Sequence, residues 1–254
     1  MLRQILGFLL LTVGIATALA AQAARDGTGQ CTGLPLFRPD DSLNKADLQV
    51  ASKDVLVRVS PKGPELHFRL EPDPEWKSSP AAAGNASVPR RVGWIRVFSC
   101  ETGALVQSLE VQSLWGGPEF FLRFFEVKDI NFDGYLDVSV VRDGGATWAS
   151  QTWWVFSPEV GRFVSNDFTK ALSRISNNGL KLDGDHQNII AYQYRYPQGC
   201  GMTKDIYHVQ QSRLVLIHQE VADSMGDSCN LTTRDLVAGE MRVTKVEQLH
   251  EFPH

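Results

Sequence analysis

Apolar and polar residues alternate through most of the chain with the period of half-buried strands rather than helices. Asp54–Val59 and Glu65–Leu70 each carry apolar side chains at every second position. They flank Ser60-Pro61-Lys62-Gly63-Pro64, a composition that predicts a turn and therefore a hairpin. Further on, Val97-Phe98-Ser99-Cys100-Glu101-Thr102-Gly103 is echoed by Val155-Phe156-Ser157-Pro158-Glu159-Val160-Gly161. Each copy follows a tryptophan-bearing strand (Trp94; Trp153 and Trp154) and precedes another apolar run. Strand, Glu-x-Gly turn, strand is the hairpin unit from which propeller blades are built. Tyr207–Ile217, around Gln210-Gln211-Ser212, reads as a third copy with an eroded turn. One segment has a helical period instead: Phe168, Leu172 and Ile175 fall at i, i+4, i+7, with Asn166 or Asp167 as cap and Asn177-Asn178-Gly179 as stop. The expected fold class is all-β, mainly antiparallel and β-propeller-like, with one short helix near 166–175.

The ends and the composition narrow the setting. Residues 1–23 read as a secretory signal, with Arg3 ahead of the apolar stretch Ile5–Ile15 and two A-x-A sites, Ala18-Leu19-Ala20 and Ala21-Gln22-Ala23. Residues 24–46 form a leader segment without periodicity, and 47–254 a single β-rich domain in which 72–91, rich in Pro, Ala, Ser and Gly, are a long loop. No later run is apolar enough to span a bilayer, so the expected location is the periplasm, with no membrane contact once the signal is removed. A formal net charge of −4 excludes the basic face that nucleic-acid binding requires. The four cysteines allow three pairings, of which Cys31–Cys100 and Cys200–Cys229 keep each bridge within one half of the chain. No C-x-x-C spacing favours a zinc site.

The strongest chemical signal is Asp129-Ile130-Asn131-Phe132-Asp133-Gly134-Tyr135-Leu136-Asp137. Alternate residues of a tight loop point inward, so Asp129, Asn131 and Asp133 converge on one centre and Gly134 makes the sharp turn. The backbone carbonyl of Tyr135 can add an oxygen, and Asp137 closes the shell. An all-oxygen cage of this type suits Ca²⁺ better than Mg²⁺. Val140 stands where a helical calcium loop would carry its bidentate glutamate, and the flanks are strand-like, so this is not an EF-hand. No G-x-S-x-G, H-E-x-x-H or phosphate loop occurs, and His67, His186, His208 and His218 are scattered; the chain is expected not to be an enzyme.

Lys128–Asp137, the apolar strand after it, the loop Asp143-Gly144-Gly145-Ala146, the Trp/Phe strand and Gly161-Arg162-Phe163 together resemble a known group. This group comprises the periplasmic lysozyme-inhibitor-like immunity proteins associated with bacteria-killing type IV secretion in Xanthomonas-type bacteria. They are similar in turn to inhibitors of invertebrate-type lysozyme and to FG-GAP propeller blades. The resemblance covers roughly residues 92–220, and of the family's functional positions only the calcium ligands match residue by residue. It implies a calcium-bound, propeller-like structure that binds and blocks a peptidoglycan-cleaving muramidase, a lysozyme-like toxin. The inhibitors' Ser-Gly-and-Tyr loop signature is absent in clear form, and Ala146–Ser150 stands where it would be sought. A loop leaving a metal-braced strand loses little entropy on binding, and tryptophans are frequent interface anchors. The partner-facing residues are therefore expected to be Gly145, Thr147, Trp148, Ser150 and Trp153. Two other readings stand beside this one: an FG-GAP-like calcium-dependent adhesion or glycan-binding module, and a cell-envelope hydrolase.

Overall fold

The computed structural model describes residues 31, 34, 36–37, 54–74, 90–113, 125–144, 149–175, 180–194, 200–225 and 228–249. Residues 1–23, expected to be a secretory signal, and almost all of the expected leader segment 24–46 lie outside this set. The described chain is mostly antiparallel β-sheet with one short helix, the expected class. Five strands, β1 (Leu36–Phe37), β2 (Asp54–Arg58), β3 (Glu65–Pro72), β4 (Arg90–Ser99) and β5 (Leu105–Ser113), lie side by side in chain order. A four-stranded sheet follows, of β6 (Phe125–Lys128), β7 (Asp137–Gly144), β8 (Ala149–Ser157) and β9 (Arg162–Val164). After the helix α1 (Asp167–Leu172) comes a six-stranded sheet: β10 (Leu180–Asp183), β11 (Asn188–Tyr194), β12 (Met202–Gln210), β13 (Arg213–Met225), β14 (Ser228–Val237) and β15 (Glu240–Leu249). Every neighbouring pair is antiparallel except β1 with β2.

The internal repeat is a repeat of backbone geometry. In the turn between β4 and β5 the Gly103 N–H donates to the Ser99 carbonyl at 2.8 Å, and between β8 and β9 the Gly161 N–H donates to the Ser157 carbonyl at 2.8 Å. Both glycines sit at positive φ, 68° and 63°, where a side chain would be strained. The third copy turns differently. Gln211 and Ser212 both have positive φ, as a two-residue hairpin loop of the twist-matched kind requires.

The middle sheet is buried on both faces, and its alternation divides the interior in two. Trp154 and Phe156 of β8 join the first sheet's Val55, Phe68 and Ile95 in one core, whereas Trp153 and Val155 join Phe168, Leu172, Ile189 and Ala191 in another. In the first core an aromatic chain runs from Phe125 through Phe68, Phe163 and Phe156 to Tyr135, with centroid separations of 5.3–5.6 Å. A clip fastens the first two sheets: the Gln107 side-chain amide donates to the Phe163 carbonyl at 2.7 Å and accepts from the Phe163 N–H at 3.0 Å.

Helix α1 covers part of the second core and packs on β8. Its cap is Asn166, whose side chain accepts from the Thr169 N–H at 3.0 Å while Thr169 Oγ1 accepts from the Asn166 N–H at 2.8 Å. Phe168, Leu172 and Ile175, the expected apolar face, are all buried. Both disulfides form as paired from the sequence, Cys31–Cys100 and Cys200–Cys229, each with Cα atoms 5.8 Å apart. Among the described residues no helix is long and apolar enough to cross a membrane.

Candidate metal centre

The segment 129–136 joins β6 to β7 as a tight loop whose polar side chains turn inward onto its own backbone. Asp129 accepts from the Asp133 N–H at 3.1 Å through Oδ1 and from the Gly134 N–H at 2.9 Å through Oδ2. Asn131 Oδ1 also accepts from the Asp133 N–H, at 3.2 Å, and Asp133 Oδ1 accepts from the Tyr135 N–H at 2.9 Å. The Asn131 amide donates to Asp133 Oδ2 at 2.8 Å. Gly134 takes φ 86°, with nothing within 4 Å of where a Cβ would sit, so its requirement is conformational and not steric. Phe132 takes φ 60° and, like Ile130, packs on the second core.

Asp137, the first residue of β7, is 0% exposed. Its carboxylate reaches in two directions: Oδ2 accepts from the Ile130 N–H at 3.1 Å and Oδ1 from the Phe156 N–H of β8 at 2.8 Å. One side chain thus ties the loop's entry to the neighbouring strand. The loop's exit is held separately, by the Leu136 N–H donating to the Val59 carbonyl at 2.6 Å. Tyr135 stacks on Phe156 with centroids 5.6 Å apart.

The electrostatics of this arrangement are one-sided. Burial pushes Asp137 well above the usual carboxylate range, and the negative charges of Asp133 and Asp129 push the same way. Asp129 is also raised, first by burial and then by Asp133, although the Gly134 and Asp133 N–H groups oppose this. Among the described residues no Lys, Arg or His pairs with Asp129, Asp133 or Asp137; Lys128 pairs with Glu126 instead, at 2.9 Å. The donors are all oxygen, and the buried charge has no counter-ion among the described residues, which fits a hard cation. The structure brings Asp129, Asn131 and Asp133 together through shared N–H groups. It does not draw three carboxylates into one tight group among the described residues, and Asp137 stays bonded to the backbone behind them.

The expected partner-facing residues have a different outcome. Gly145, Thr147 and Trp148 lie outside the described residues. Trp153, expected as an interface anchor, is a correction: it is 1% exposed and belongs to the second core. The reason is that β8 is covered on both faces, so alternation there does not separate a wet side from a dry one. Ser150 is 8% exposed, with the Arg142 guanidinium 3.4 Å from its hydroxyl. The N–H groups of Ile130 and Phe156, which hold Asp137, could not be found from the sequence, because every residue carries such a group.

No family model matches the sequence, and no curated protein matches it. A solved structure described as "Structure of a Xanthomonas Type IV Secretion System related protein" is similar, with a TM-score of 0.48 and 16% identity over 78% of this chain and 95% of that one. A likeness of this size is too loose to carry a conclusion about what this chain does.

Proposed function

We propose that this chain is an exported, calcium-binding inhibitor that blocks a peptidoglycan-cleaving muramidase and so acts as an immunity protein, without an enzymatic activity of its own. The observation that carries the reading is the loop 129–137, whose carboxylates, Asp137 fully buried among them, have no Lys, Arg or His partner among the described residues. Asp129, Asn131, Asp133 and Asp137, with the Tyr135 carbonyl, would hold the ion. Calcium supplies the positive charge that the fold omits and fixes the β6–β7 junction. The sequence around that loop resembles the immunity group over 92–220, and the paired cysteines suit an oxidising compartment such as the periplasm. A surface braced in this way loses little conformational entropy on meeting a partner.

The test is to mix the purified protein with lysozymes of different classes, and with any peptidoglycan hydrolase encoded beside it, in calcium and in chelator. Loss of lysis in calcium is the expected result. Retention of full lytic activity by every enzyme, with no complex on gel filtration, would end the reading. The matched turns at Gly103 and Gly161 favour, as a second reading, an FG-GAP-like adhesion or glycan-binding module. A glycan array distinguishes it: calcium-dependent signals on particular glycans, without inhibition of lysis, would replace the first reading with the second.

A further inference from the structure

On the helix side of β8 lies a cleft of about 500 Å³ between that strand and α1. Its lining includes three cationic side chains, Arg142, Lys170 and Arg174, and none of its described lining residues is acidic. Among the described residues Lys170 pairs only with Asp167, across an exposed i, i+3 gap, and Arg142 holds Asp143 through Nε at 3.1 Å. Arg174 is exposed and has no ion-pair partner among the described residues. The carbonyls of Thr169, Ala171 and Leu172 at the end of α1 already accept from the N–H groups of Ser173, Arg174 and Ile175, so they do not depend on these cations for a donor. Trp153 borders the same cleft, and its indole N–H is buried without an acceptor among the described residues. Leaving such a donor unpaired is costly, and unpaired buried donors are rare in folded proteins.

We propose that this cleft is a binding site for a compact oxyanion, a carboxylate or phosphate group carried on a small molecule. Guanidinium and ammonium groups recognise that chemistry by charge-assisted hydrogen bonds. Thr152 and Ser173 line the cleft beside them. The Trp153 ring borders the cleft, so its indole resonance reports occupancy of the site. The site is separate from the calcium loop, and its occupancy does not depend on muramidase inhibition.

The experiment titrates the ¹⁵N-labelled protein, kept in calcium, with sodium phosphate and in parallel with sodium acetate. Chloride is exchanged to hold ionic strength constant, and the indole N–H resonance of Trp153 is followed. The expected result is a saturable shift at millimolar anion that weakens about tenfold in the double variant K170Q/R174Q, whose two side chains are exposed and leave the core intact. A stronger response to phosphate than to acetate assigns the site to phosphate groups, and the reverse order to carboxylates. A Trp153 resonance that does not move, that moves linearly without saturation, or that responds equally in the double variant overturns the proposal.

Discussion

Two buried aspartates bracket β7, and the fold treats them in opposite ways. Asp143, near the strand's end and 2% exposed, receives Arg142 Nε at 3.1 Å and the Ser113 hydroxyl at 2.7 Å. Asp137, at its start, is as deeply buried but receives only two backbone N–H groups, and its charged neighbours are two further carboxylates. Burying a carboxylate costs several kcal/mol unless charge and hydrogen bonds offset it. The fold meets that cost internally at Asp143 and leaves it open at Asp137. The difference locates the demand for an external cation more sharply than any count of acidic residues. A third strand aspartate, Asp235, is exposed on β14 and sits below the usual carboxylate range, held there by the Thr244 hydroxyl and then by His218. Solvation and partners, not residue type, separate the three.

Calcium removal should have the largest effect. At a free calcium concentration a hundred times its dissociation constant, unfolding in urea should show about 2.7 kcal/mol more stability than in chelator. Asp137→Asn should erase that gain, and it should also cost the chelated protein about 1–2 kcal/mol, because an amide nitrogen cannot accept from one of the two N–H groups. A calcium increment of unchanged size in this variant would remove Asp137 from the site.

Asp143→Ala should cost about 2 kcal/mol in calcium and in chelator alike, because its partners are Arg142 and Ser113 and one of them is part-exposed. Paired urea titrations read both arms. A calcium-dependent loss here would mean that the two ends of β7 are not independent.

The exposed sheet should respond to pH instead of calcium. Burial alone would lower His218, but Glu220 and Asp235 outweigh it and raise it above its ordinary 6.5. Its contribution is full below pH 6.5 and is lost as pH rises through the raised value. Glu220 and Asp235 are both held below their ordinary 4.5 and 3.8, Glu220 by His218 and Lys204 against its burial, Asp235 first by Thr244. Their contributions are therefore lost as pH falls through those lowered values. Stability from this cluster should be greatest between about pH 4.5 and 6.5, and His218→Gln should flatten the decline above that window in a pH series of melting curves. The smallest effect is expected at Val246, 64% exposed on β15, where Val246→Thr should stay within about 0.5 kcal/mol of the parent.

Much of this was legible in the chain because it depends on near neighbours. The i, i+2, i+4 spacing of Asp129, Asn131 and Asp133 gathers their oxygens around the N–H groups of the same turn, and Gly134 permits that turn. The helix face at Phe168, Leu172 and Ile175 and the twin turns at Gly103 and Gly161 are local in the same sense. Trp153 was not legible. Its period-2 position looked like one side of a half-exposed strand, but a second layer covers that side. The Gln107 clip and the cleft beside Trp153 were hidden for a related reason, since each joins residues from different elements.

The sequence by itself determined the strand and turn plan, the helix with its cap, and a loop of oxygen donors. These follow from backbone preferences and side-chain spacing over a few residues. Only the tertiary structure decided that Asp137 is dry and without a counter-charge among the described residues while Asp143 has one, and that Trp153 is core. Desolvation and charge pairing depend on what packs around a group, and those neighbours come from parts of the chain far apart in sequence.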